Sequence, residues 1–156
     1  MVDANHINLI LDAFTNVMPQ LGLNNIEKKG ISLRDKIIKS EGIGIVISII
    51  GDVKGNIIYL LSEEDAKNIA SIMMMGMPVE VLDEMSKSAV SELINMLTAN
   101  AATNFANNGI GIDISPPMLM HGNVTVSTNV DKVLSLKMGI ENMLMEVNIA
   151  LENSVA

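Results

Sequence analysis

Ser88, Glu92 and Asn95 stand at i, i+4 and i+7 of one long helical pattern, so all three project the same way. A hydroxyl, a carboxylate and a neutral carboxamide on one face can hydrogen-bond a ligand and pair with a cation. No histidine is close in sequence to activate Ser88, so it is not read as a nucleophile. The spacing by itself proves little. With seventeen asparagines and ten glutamates in 156 residues, about one Glu-x-x-Asn is expected by chance, and one is present.

The surroundings of the three residues carry more information. On a wheel, Val90, Leu93, Ile94, Leu97, Ala101 and Phe105 fall within about a 120° arc, which is the buried stripe. The opposite face holds Ser88, Glu92, Asn95, Ala99, Ala102 and Ala106, with Met85, Met96 and Thr103 at one edge. A solvated face normally carries several charged i,i+4 pairs. From Ala89 to Ile112 the sole charge is Glu92. Such a face fits a helix sandwiched inside its own chain, and it also fits one that another protein approaches closely.

Several elements must position that helix. Asn5 to Leu21 reads as an amphipathic helix that frays near Pro19. Leu33 to Lys39 reads as a strand, and Ile43 to Ile50 as a stronger one, apolar on both faces and therefore central in a sheet. Gly51 to Gly55 is turn chemistry leading to a strand over Asn56 to Leu61, hence a hairpin. Ser62 caps a helix running to about Met75, with Asp65 at the capping-box position and Gly76 as the stop. The long helix covers roughly Leu82 to Asn107. Strand patterns follow over Ile110 to Ser115, Asn123 to Ser127, Lys132 to Met138 and Met143 to Leu151. The last alternates like a half-buried strand, and its length and few charges would make it hazardous as a bare edge. Helices grouped and strands in meanders define an α+β class with a largely antiparallel sheet, in a single domain over 1–156. The methionine run Met73 to Met77 reads as a helix end packed on the core, with a plastic contact surface as the alternative, and His121 near Pro116-Pro117 as a turn histidine, with contact to the site as the alternative.

Composition excludes several functions. A net charge of −8 opposes binding to a phosphate backbone, so no nucleic-acid partner is expected. There is no cysteine, hence no thiolate nucleophile and no cysteine zinc site. With His6 and His121 alone, a three-histidine or HExxH metal centre is impossible. Met1 to Gln20 has no basic start, and the uncharged run Leu93 to Ile112 is full of asparagine and threonine. Neither a secretory signal nor membrane insertion is expected, and the reading is a cytoplasmic protein.

Ser88-x-x-x-Glu92-x-x-Asn95, followed by Asn100-Ala101-Ala102-Thr103, resembles the signature helix of the CheC/CheX/FliY family of chemotaxis phosphatases. That family's pattern is Asp or Ser, three residues, Glu, two residues, Asn, and a proline some two dozen positions on; Pro116 and Pro117 stand 21 and 22 after Asn95. The hairpin and the helix opened by Ser62-Glu63-Glu64-Asp65 also look like this family, in the right order, over about Ile43 to Gly122. A single signature copy is similar to the CheX branch, because Asp12 to Asn16 in the first helix lacks the Glu-x-x-Asn spacing. The resemblance implies a CheC-like fold, a homodimer and an activity: removal of the aspartyl phosphate from a phosphorylated CheY-type receiver domain. It further implies that Asn95 positions the attacking water, that Glu92 pairs with the receiver's lysine, and that Ser88, Met96 and Ala99 belong to the partner-contact face. The protein would need no cofactor of its own, since the receiver supplies the Mg²⁺. A catalytically silent module that docks on a receiver or on the flagellar switch is the alternative.

Overall fold

The computed structural model describes residues 4–154; the Met1–Asp3 part of the N-terminal segment read above lies outside the described residues. Helix α1 spans Ala4–Val17 and passes into a 3-10 turn over Met18–Leu21, with Pro19 in its first positions. Proline supplies no N–H to an α-helical ladder, so the change of helix type falls where it stands. Strand β1 spans Ile26–Gly51, β2 Val53–Leu61, helix α2 Glu63–Met73 and helix α3 Glu84–Asn107. Strands β3 (Ile112–Ile114), β4 (Met118–Ile140) and β5 (Met143–Asn153) complete the chain.

All five strands form one antiparallel sheet in the order β2-β5-β4-β1-β3, with β2 also paired to β1. Two strands are far longer than their sequence patterns. β1 joins the two separate strands expected before Gly51, and β4 joins those over Asn123 to Ser127 and Lys132 to Met138. The pair forms a ribbon running from Ile26↔Ile140 to Val46↔Met118. Glycines hide this continuity. Gly42 and Gly122 face each other across the ribbon, both with positive φ (115° and 109°), so both strands kink at one level without leaving the ladder. A second irregularity sets Lys36 against Thr128–Asp131, and Thr128 donates its hydroxyl to the Lys36 carbonyl.

The ribbon closes the sheet on itself. Its β1 edge pairs with β2 over Ile43–Ile49, while its β4 edge pairs with β5 over Leu134–Ile140. β2 and β5 pair with each other, so β5 is an inner strand, not the edge that its sequence placement left open. Closure also makes two cores. On one face Ile45, Ile47, Tyr59, Val147 and Met145 pack under Ile10, Phe14, Ile69 and the α3 stripe. On the other, Ile38, Val46, Ile58, Val124, Val133 and Ala150 pack beneath the ribbon. Asn148 and Ala150 are therefore buried, although alternation alone placed them on a solvated face. The Asn148 amide donates to the Ile58 carbonyl and to Glu146, which Arg34 of the ribbon also engages.

The short helix α2 is capped as its sequence implies, with the Ser62 hydroxyl accepting from the Asp65 N–H at 3.0 Å. Asp65 does not complete a capping box; its carboxylate accepts from the Leu144 N–H at 3.1 Å, tying the helix to β5. The methionine run is divided. Met73 packs against the core, but Met75 is 94% exposed and Met77 57% exposed. The chain leaves the helix through left-handed Met75 and Gly76, which carries the later methionines away from the core.

Candidate functional site on the signature helix

Asp83 caps α3, its carboxylate accepting from the Ser86 N–H at 2.9 Å and from the Ser86 hydroxyl at 2.8 Å. These bonds, the backbone one first, hold the Asp83 carboxyl below the usual carboxylate range. Val90, Leu93, Ile94, Leu97, Ala101 and Phe105 are all buried, so the stripe read from the wheel is the packed face. At its centre Thr98 donates to the Ile94 carbonyl at 2.8 Å, and Tyr59 of β2 lies 2.7 Å from the same hydroxyl. Because the Thr98 proton goes to Ile94, Tyr59 is the donor of that contact. Both residues are 1% exposed. Burial pushes the Tyr59 hydroxyl well above its ordinary range, so it stays a donor. This chain of bonds pins α3 to the sheet at Thr98, three residues after Asn95.

The C-terminal half of α3 is held by α1. Asn16 donates to the Asn100 carboxamide oxygen at 3.0 Å, and Asn104 donates to the Leu9 carbonyl at 2.9 Å. The N-terminal half is left open and forms one wall of a groove of about 810 Å³. Glu84, Lys87, Ser88, Ser91, Glu92 and Asn95 line that wall; Ile114, Ser115, Pro116, Pro117, Leu119 and His121 line the other. The far wall has its own logic. Ser115 exchanges bonds with the Ser48 backbone, its hydroxyl accepting and its N–H donating, which docks it on β1. Pro116 and Pro117 then interrupt the ladder between β3 and β4, where neither can donate.

Ser88, Glu92 and Asn95 are thus brought together on one wall, Ser88 and Glu92 exposed and Asn95 half-buried. Among the described residues neither Glu92 nor Asn95 has a side-chain hydrogen-bond or ion-pair partner. Met96 and Ala99 are not lining residues of the groove: Met96 packs against the core, and Ala99 is exposed beyond Asn95. Lys87 and Ser91 went unread in the sequence, although each lies beside a residue of the signature and one turn from the next. His121 is not in a turn. It sits in β4 opposite Ile43, lines the groove, and has its Nε2 3.4 Å from a Glu63 carboxylate oxygen. Among the described residues no three acidic, histidine or cysteine side chains cluster as a metal site would require, and no helix is long and apolar enough to cross a membrane.

The wrapped antiparallel sheet with helices on one face, and a proline-walled groove along α3, make up a CheC-like fold. A CheC-like superfamily protein from Shewanella sp. PV-4 superposes with a TM-score of 0.81 at 23% identity, over 97% of this chain and all of that one (100%). The chain belongs to the CheX family: the family model described as chemotaxis phosphatase CheX matches residues 43–137, more than half of the sequence. It is 40% identical over 77 residues to the CheY-P phosphatase CheX of Thermotoga maritima, a match covering 49% of this chain and 50% of that protein. The match thus spans about half the length of this relative. The CheX of the CheX–CheY–BeF3–Mg²⁺ complex from Borrelia burgdorferi superposes with a TM-score of 0.79 at 26% identity, over 98% of this chain and 100% of that one.

Proposed function

We propose that residues 1–156 act as one cytoplasmic phosphatase domain that hydrolyses the aspartyl phosphate of a CheY-type receiver. The observation that carries this reading is the free Glu92–Asn95 pair, one turn apart on the open half of an otherwise anchored helix. The CheX–CheY complex of the Borrelia relative supports the choice of partner.

An acyl phosphate is already labile, and a receiver brings its own Mg²⁺ and lysine to neutralise the phosphoryl group. Phosphoryl transfer then needs positioning more than a protein nucleophile. Asn95 supplies it. Its neutral amide holds a water in line with the aspartyl oxygen, where a carboxylate would be repelled by the phosphate. A new P–O bond forms from the water as the aspartyl O–P bond breaks, giving inorganic phosphate and the free carboxylate. Glu92 pairs with the receiver lysine and aims the helix. Ser88 makes room beside them, and Ala99, exposed beyond Asn95, extends the contact face, while Met96 supports it from the core side.

The protein acts as a homodimer. Residues 26–42 of β1 pair with β4 alone, and Ile31, Leu33 and Ile37 are each about half exposed along that open edge. Pairing across a two-fold axis would cover it. Sedimentation at micromolar concentration should give a dimer that Ile31→Lys with Leu33→Lys dissociates; a monomeric native protein would end this part of the reading.

The decisive experiment follows the decay of a phosphorylated CheY-type receiver in Mg²⁺ with native protein and with Asn95→Ala. Acceleration by the native protein that vanishes in the variant is expected. Unchanged decay despite binding would leave the silent docking module instead.

A further inference from the structure

We infer that the methionine surface formed by Met75, Met77, Val81 and Met85 is a second docking site for the phosphorylated receiver, continuous with the Glu92–Asn95 face. The inference rests on the receiver phosphatase reading and says where the rest of the complex is held. Met75, Met77, Val81 and Met85 are 94%, 57%, 73% and 66% exposed. Met77, Val81 and Met85 line a depression between the α2–α3 connection and the first turn of α3, and Met75 follows Met74, which lines it too. Scattered exposed hydrophobics are ordinary, but four together on one connection mark a contact surface.

Continuity identifies the occupant. Met85 lies three residues before Ser88 and seven before Glu92, on the same side of α3. Glu84, which lines the Glu92–Asn95 groove, stands in the chain between Asp83 and Met85, which line the depression. A body seated on Glu92 and Asn95 therefore lies over Met85 as well. Two polar side chains in a shallow groove also supply too little contact for a specific protein complex, which needs roughly 600 Å² or more from each partner. Unbranched thioethers give that contact area while adapting to the surface they meet. The backbone favours presentation: Met75 is held with φ of 62°, a conformation costly for a side-chain residue, and its side chain points away from the fold. Glu80 and Glu84 flank the patch, so the matching receiver surface is apolar with lysine or arginine at its rim.

The test uses the full chain with Met75→Ser and Met77→Ser combined, both in an exposed connection. Decay of the phosphorylated receiver in Mg²⁺ is followed across receiver concentrations. A KM raised roughly five- to tenfold with kcat within twofold of native is expected. An unchanged KM overturns the inference, as does a loss confined to kcat. Should native protein fail to accelerate decay, the phosphatase reading fails, and binding to the beryllofluoride-loaded receiver decides docking separately: weaker binding of the double variant sustains it, equal binding or none overturns it. A double variant that is monomeric where native protein is dimeric also overturns it, by assigning the patch to self-association.

Discussion

Helices α1 and α3 lie side by side on one sheet face, and each carries an acid and a carboxamide about one turn apart: Asp12 with Asn16, Glu92 with Asn95. The α1 pair is spaced i, i+4 and so lacks the Glu-x-x-Asn pattern, but spacing does not tell which amide is available. Their surroundings do. The Asn16 amide is spent on Asn100, and its backbone carbonyl takes a bond from Gln20. Asn95 faces a groove with its amide unengaged. The Asn16 amide is fixed in place by holding two helices together, whereas the Asn95 amide keeps both donors and its acceptor for a ligand, so availability distinguishes a candidate site from a structural contact.

Substitutions along both helices sharpen this contrast. Asn95→Ala should lower phosphatase activity by roughly a hundredfold or more, with thermal stability unchanged, since nothing in the fold leans on that amide. Glu92→Ala should cost roughly ten- to a hundredfold in kcat/KM, carried mainly by KM and weakened further by salt in native protein. A variant bound as tightly as native protein would break the docking role. Tyr59→Phe removes the donor to Thr98 while keeping the ring, and should cost about 1 kcal/mol in denaturant unfolding; a few-fold loss of kcat with KM unchanged would show that the anchor also sets the aim of Asn95. Asn16→Ala, the counterpart on α1, should leave kcat and KM within twofold of native and shift only the unfolding midpoint. The smallest effect concerns acid. The Asp83 carboxyl is held below its unfolded value, so its contribution is present above the ordinary carboxylate range and is lost as pH falls through the lowered value. Asp83→Asn keeps a cap without the charge, and its stability should vary less over that acidic window than that of native protein.

Much of this was readable in advance where physics is local. The α3 stripe, the Ser62 cap and the helix change at Pro19 all follow from periodicity and capping chemistry. Pairing between distant segments was not readable. Alternation shows which residues of β5 share a face, yet not that β2 and β4 take both its edges, nor that a ribbon covers Asn148 and Ala150. Gly42 and Gly122 look like strand ends because their conformational freedom is visible in sequence and their mutual pairing is not. His121 was assigned to a turn for the same reason: the glycine beside it sits in a kinked strand. The signature triplet is legible through its spacing taken with the order of elements around it, whereas the far wall of the groove depends on how β3 and β4 meet β1.

The inner position of β5 has a consequence for a chain made from its N-terminus. α3 leaves the ribosome before the last strand of the sheet beneath it has been synthesised. Until Met143–Asn153 slides between β2 and β4, the sheet cannot close, and Ile26 must wait for Ile140, more than a hundred residues away. Such remote pairings slow folding because the chain loses its freedom before the contacts reward it. A nascent chain halted after α3 would therefore display Ser88, Glu92 and Asn95 without the far wall of their groove, and the sheet that carries both walls closes only when β5 has been added.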